Sequence, residues 1–330
     1  MPELRRCVTI YPPMLDIIMH VPKETLENHQ LKPNTIVSYC ESKHKSICQL
    51  VQDRIDSKTS SPTFLAGGAT FNTQKILSRW LQCDFFGIVG HDVYGTILAK
   101  KMEGTLVNIH LDRTSVCSTQ WALVFLSGDE RTLVAKQDES ICYSDKAKEQ
   151  IAALIDQHAL FYFVSFTFFL KNVTQDSLAI IKTKASKGFC LVVNLSSVEV
   201  ATLFKAQILS VLAQSDFVIG NKEEYSALFD ESDISALPGH LAKLGCGFAI
   251  TDGAKTVIGQ IPGGPLRTAQ PKTLSHELNT NGAGDSFAAG FIGALKDQKT
   301  LQDKDVLPLL QAGIEASAEY IQQVANIVHN

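Results

Sequence analysis

From about residue 139 onward, short apolar runs alternate with stretches of helical periodicity, and this rhythm limits the fold more than any other feature of the chain. Residues 160–164 (LFYFV), 190–194 (CLVVN), 216–219 (DFVI) and 248–251 (FAIT) are rich in β-branched and aromatic residues. Strands that are apolar on both faces and separated by helices form parallel sheets covered on both sides. Residues 83–89 (CDFFGIV) read as a fifth such strand behind a helix at 75–81. The pattern is βαβ, an α/β protein.

Two stretches break the rhythm. Residues 118–125 and 132–136 flank the polar turn Ser127-Gly128-Asp129-Glu130, a hairpin pattern. Between 17 and 65 lie an isolated strand at 35–39 and a helix at 41–54. The expectation is a large α/β nucleotide-binding domain built from 1–16, 66–116 and 138–330, with a small, discontinuous β-rich lid subdomain from 17–65 and 117–137. Covers over active sites are often made this way.

Composition removes several classes of function. Thirty Lys and Arg against 34 Asp and Glu leave a formal charge of −4, so no nucleic-acid partner is expected. The eight cysteines form no C-x-x-C, and the nine histidines include no H-E-x-x-H, so they predict reduced thiols and no zinc site. Pro12, Pro13 and Asp16 interrupt the first apolar stretch, and no run reaches the roughly 18 apolar residues of a membrane span. The expected address is the cytoplasm, with the nucleus as the alternative. A monomer is expected, with a dimer as the alternative.

The chemistry concentrates at Asn279-Thr280-Asn281-Gly282-Ala283-Gly284-Asp285-Ser286-Phe287, which runs into an apolar helical pattern. Gly282 and Gly284 let successive N–H groups converge on one concavity at a helix N-terminus, where the dipole favours an anion. A phosphate suits such a site, and Asp285 inside it is placed to accept a proton from an attacking hydroxyl. The plainer reading is a helix that starts after a glycine turn, with Asp285 complementing the dipole. The chain has no G-x-x-x-x-G-K-[ST], and the third glycine of G-x-G-x-x-G is missing. Gly284-Asp285-Ser286-Phe287-Ala288 nearly matches a serine-hydrolase elbow, but it lacks the last glycine and has only His329 downstream.

Asn281–Asp285 (NGAGD) resembles the C-terminal signature of the PfkB (ribokinase-like) carbohydrate and nucleoside kinases. Gly67-Gly68-Ala69-Thr70-Phe71-Asn72 resembles that family's N-terminal glycine pair, and 86–95 (FGIVGHDVYG) its G-x-D-x-x-G turn. Pro13-Met14-Leu15-Asp16, Leu31-Lys32-Pro33-Asn34 and Asn194-Leu195-Ser196 resemble the adenosine-kinase branch, and the match runs in order over about residues 10–315. The resemblance implies a ribokinase-like three-layer α/β/α domain with a mainly parallel central sheet and a small β-rich lid.

It also implies ATP- and Mg²⁺-dependent phosphorylation of a purine nucleoside, adenosine at its 5′-hydroxyl, giving AMP in purine salvage. The alternatives are another nucleoside, a sugar such as ribose, or a nucleoside binder without catalysis. Asp285 then stands as the base, Gly282, Ala283 and Gly284 as the anion hole, and Arg131 as a lid arginine reaching the donor phosphates. Asp16, Gly67, Gly68 and Asn72 form the sugar site. Asn221 and Glu224, within Asn221-Lys222-Glu223-Glu224, organise hydrated Mg²⁺; the same N-x-x-E spacing is also that of a helix cap. Thr251 and Gly253 contact the nucleotide, while Phe166, Phe168 and Phe169 read as core or as a base-stacking platform. Asn279 departs from the family's usual aspartate and Pro12 from an asparagine, and 316–330 lacks the usual basic, glycine-containing turn. The monovalent-cation site of the family stays open on that account.

Overall fold

A computed structural model describes residues 3–33, 35–57, 62–128, 130–271, 282–297 and 302–328. In chain order its strands are β1 (Arg6–Ile10), β2 (Met14–His20), β3 (Ile36–Ser38), β4 (Thr63–Gly67), β5 (Gln82–Gly90), β6 (Asn108–Thr114) and β7 (Trp121–Ser127). They continue with β8 (Glu130–Lys136), β9 (Ala159–Val164), β10 (Cys190–Asn194), β11 (Phe217–Asn221), β12 (Gly247–Thr251), β13 (Val257–Gln260) and β14 (Arg267–Ala269). Among the described residues, nine strands form one sheet in the order β14-β13-β12-β11-β10-β9-β1-β5-β6. Pairing is parallel from β12 to β6, and antiparallel at β12–β13 and β13–β14. This is the ribokinase-like α/β fold, with helices on the sheet. The central strands are buried along nearly their whole length, as continuous apolar runs require.

The second sheet has the order β3-β8-β7-β2-β4. Its β7–β8 hairpin pairs Ser127 with Glu130 across the expected turn. The first hairpin strand begins at Trp121, not at 118, because the preceding backbone is already bonded elsewhere. Asp138 accepts from the Ser118 N–H at 2.7 Å, and Asp92 accepts from the Thr119 N–H at 2.8 Å. Asp92 also caps helix Val93–Met102 through the Gly95 N–H at 2.7 Å, so one carboxylate ties the G-x-D-x-x-G turn to the root of the hairpin.

The helix expected at 75–81 instead spans Ala69–Leu77. It starts at Gly68, whose φ of +95° ends β4 and turns the chain within one residue. All eight cysteines are free, with Cys40 and Cys142 exposed. No helix among the described residues is long and apolar enough to cross a membrane. The C-terminal ends of β10, β11 and β12 converge with the N-termini of Ala69–Leu77 and Ala283–Ala294 on one cleft.

Candidate active site

Helix Ala283–Ala294 begins on Gly282, a left-handed residue at φ +84° with no side-chain cap. Its small residues let it press against helix Leu307–Val328, where a Cβ on Gly290 would stand 2.2 Å from the Ala312 carbonyl oxygen. Ser286 Oγ donates to the Gly282 carbonyl at 2.8 Å, and Ser317 Oγ donates to that of Ala283 at 2.7 Å. The first turn is thus clamped from behind. In front, nothing among the described residues lies within 4 Å of a Cβ built on Gly284, so on that side the helix start is clear of them. Such an end presents unpaired N–H groups and positive potential to an anion. The family motif's 279–281 portion lies outside the described residues.

Asp285 sits in the first turn of this helix and lines the cleft. Burial pushes its carboxyl up to about 7, against the opposing pull of Asn72 and then Lys75. The Asn72 amide donates to Asp285 Oδ2 in a long contact of 3.4 Å. Beneath it, the Asn194 amide donates to the buried Tyr162 hydroxyl at 3.0 Å.

Asp16 is a half-buried residue of β2 that pairs with Leu65 of β4. Its carboxylate lies over Gly67, where a Cβ would stand only 2.4 Å from Oδ2. A Cβ at that position would push the carboxylate aside. Burial raises the Asp16 carboxyl to about 6, opposed by Arg131 and then by Lys75. Arg131 of β8 has Asp16 and Tyr320 as electrostatic neighbours.

Asn221 and Glu224 close a reciprocal capping box on helix Lys222–Phe229. The Glu224 N–H donates to Asn221 Oδ1 at 2.8 Å, and the Asn221 N–H to Glu224 Oε2 at 2.9 Å. Burial holds the Glu224 carboxyl up at about 7. Both residues also line the cleft with Thr251, Gly284 and Asp285. The N-x-x-E spacing thus forms a helix cap whose two residues also face the cleft. Gly253 is exposed in the turn beyond β12 at φ +56° and is not part of the cleft wall. Of the aromatic stripe, Phe166 lines the cleft, while Phe168 and Phe169 pack on Phe204.

The structure adds two residues that motif reading passes over. Lys75, on helix Ala69–Leu77, has both the Asp16 and the Asp285 carboxylates as electrostatic neighbours. The Tyr320 ring fills the space of a Gly282 Cβ, its hydroxyl 2.8 Å from that position. Gly282 thus needs glycine twice, for its backbone angle and for this ring. Among the described residues no group of three or more His, Cys, Asp or Glu is arranged to hold a metal.

The profile of the family described as pfkB family carbohydrate kinase matches residues 36–326. Adenosine kinase 2 of Arabidopsis thaliana is 28% identical over 94% of this chain and 92% of its own. An adenosine kinase of Schizophyllum commune is 29% identical over 94% and 93%. The crystal structure of Anopheles gambiae adenosine kinase in complex with P1,P4-di(adenosine-5) tetraphosphate superposes with a TM-score of 0.75, at 26% identity over 96% and 95% of the two chains.

Proposed function

The chain belongs to the pfkB family of carbohydrate kinases, a phosphotransferase acting on a hydroxyl group, and we propose that it moves the terminal phosphoryl of ATP to the 5′-hydroxyl of adenosine. The observation that carries this reading is a pair of carboxylates that share Lys75 as an electrostatic neighbour. Asp285 sits at a glycine-led helix start and lines the cleft, and Asp16 rests over Gly67. A vicinal diol matches Asp16, because a carboxylate can accept from both hydroxyls. Gly67, Gly68 and Asn72 complete that sugar site. Bound there, a ribose turns its remaining primary alcohol toward the helix start.

Asp285 then takes the proton as the 5′-oxygen forms its bond to the γ-phosphorus. The bond from that phosphorus to the β-bridging oxygen breaks, leaving ADP, and the proton passes from Asp285 to solvent. The N–H groups of Gly282, Ala283 and Gly284 face the charge on the transferred group, and Arg131 contributes from β8. Phosphoryl transfer depends chiefly on such positioning and charge stabilisation. Thr251 borders the donor nucleotide, with Gly253 in the exposed turn just beyond it. Asn221 and Glu224 each commit one oxygen to the helix cap. They therefore fit an ion held through its waters, as Mg²⁺ commonly is, better than one ligated directly. Magnesium would neutralise phosphate charge there.

Adenosine, guanosine, inosine and ribose, each offered with ATP and Mg²⁺ to the purified protein, test the reading by product mass. AMP from adenosine is expected. Ribose converted with adenosine untouched would move the assignment to a sugar. Adenosine bound without any product would make the protein a non-catalytic binder.

The pH profile gives a second check. A base must be ionised, so kcat/KM is expected to fall about tenfold per pH unit below about 7, where Asp285 protonates. Below about 6, protonation of Asp16 adds a second proton to the slope. A flat profile from pH 8 to 5.5 would remove Asp285 from the proposed role.

Glu224→Gln separates the cap from the ion. The amide oxygen still accepts from the Asn221 N–H, so Tm is expected to stay within about 3 °C. The Mg²⁺ concentration for half-maximal rate is expected to rise about tenfold, the size typical of losing an outer-shell partner. An unchanged Mg²⁺ requirement would leave N-x-x-E as a cap alone.

A further inference from the structure

Lys75 lies one helical turn beyond Asn72 on helix Ala69–Leu77, so both side chains leave the same face. Its ammonium donates to the Ala66 carbonyl at 3.2 Å and lies 5.1 Å from the centre of the Phe71 ring. Ala66 is the neighbour of Gly67, over which the Asp16 carboxylate rests, and Asn72 reaches Asp285. These contacts hold a half-buried positive charge beside the segment that carries Gly67 and on the helix face that carries Asn72, and Lys75 interacts electrostatically with both acids.

We propose that Lys75 is a positioning residue whose ammonium is the shared counter-charge of Asp16 and Asp285, keeping both carboxylates ionised and facing one substrate. The proposal rests on the kinase reading for its function, but not for its electrostatics. Burial makes both carboxylates resist ionisation, and a cation near each of them opposes that effect. Burial pushes the Lys75 ammonium below the ordinary lysine range, while Asp16 and then Asp285 pull it back up. The other ionisable groups facing this cluster are Arg131 from β8, Tyr320 from helix Leu307–Val328 and Tyr162 from β9. Arg131 has Asp16 among its electrostatic neighbours and Asn72 bonds Asp285, whereas Lys75 interacts with both acids.

The test is a carboxyl ¹³C titration of aspartate-labelled protein, with the two signals assigned from Asp16→Asn and Asp285→Asn. In Lys75→Met the Asp285 midpoint is expected to rise by about one unit or more, as loss of a close opposite charge does. The Asp16 midpoint is expected to rise as well. Lys75→Arg, which keeps the charge, is expected to stay near wild type in both. Lys75→Gln keeps a donor for the Ala66 carbonyl without charge and stands in if the Met variant does not fold. The acid limb of kcat/KM is expected to move with the Asp285 midpoint, so that the Met variant regains most of its rate at pH 9. Midpoints unchanged in both neutral variants, or Lys75→Arg shifted as far as Lys75→Met, would overturn the proposal. If wild type phosphorylates no offered substrate, the kinase reading fails, and the titration still decides the role of Lys75.

Discussion

Asp285→Asn is expected to lower kcat by about 10²–10⁴-fold, the range a positioned general base supplies, while adenosine binding changes by less than about threefold. The asymmetry follows from the cleft. The Asn72 contact and the helix start do not require charge at residue 285, whereas accepting a proton does. Stability should respond in the opposite direction to activity. The folded carboxyl titrates near 7, well above its unfolded value of 3.8, so the native state disfavours its ionised form. That cost is fully present above pH 7, shrinks as pH falls through 7, and is gone below the unfolded value. The Asn variant should therefore be at least as stable as wild type at pH 8, with the difference fading toward pH 4. Rate measurements and thermal melts at both pH values read the two effects together. An Asn variant retaining more than a tenth of wild-type kcat would remove the assigned base.

The parts of this architecture that could be read in the sequence are those where one physical signal dominates. Strands β9 to β12 are apolar on both faces, so their runs announce themselves without knowledge of their neighbours. β6 carries Asn108, His110, Asp112 and Arg113 on a sheet edge and has no such run. β4 alternates exposed and half-buried residues, and helix Ala69–Leu77 starts without a side-chain cap. Propensity says little at such places, and tertiary pairing sets the boundaries.

The site divides in the same way. Gly282, Gly284 and Asp285 sit within four residues, so a motif can carry them. The Asn72–Asp285 contact joins residues 213 positions apart. Lys75 and Tyr320 matter through what they touch, not through neighbours in the chain. A bare surface glycine offers the same letter as Gly67 or Gly282. Only the fold reveals the Asp16 carboxylate and the Tyr320 ring filling the space of the missing Cβ atoms.

Asp16→Ala is expected to lower kcat/KM for adenosine by about 10²–10⁴-fold, because it removes two hydrogen bonds to a charged acceptor, each worth about 1.5–3 kcal/mol. A loss of that size has another explanation, since Asp16 also interacts with Arg131 and Lys75, and its removal takes one opposite charge from the surroundings of each. Substrate analogues separate the two. For wild type, 2′-deoxyadenosine and 3′-deoxyadenosine should each lose at least about tenfold relative to adenosine, as one charge-assisted bond disappears. In the Ala variant the three nucleosides should perform alike, because the acceptor that told them apart is gone. The difference between the two series is the interaction energy of hydroxyl and carboxylate, free of whatever the substitution does to the lysine and arginine. Gly67→Ala supplies an independent route to the same end. Its Cβ would enter the space of Asp16 Oδ2, so the displaced carboxylate should blunt discrimination between ribose and deoxyribose with every charge still present. An Ala variant at residue 16 that still prefers adenosine over both deoxynucleosides by the wild-type margin would place the diol somewhere other than on β2.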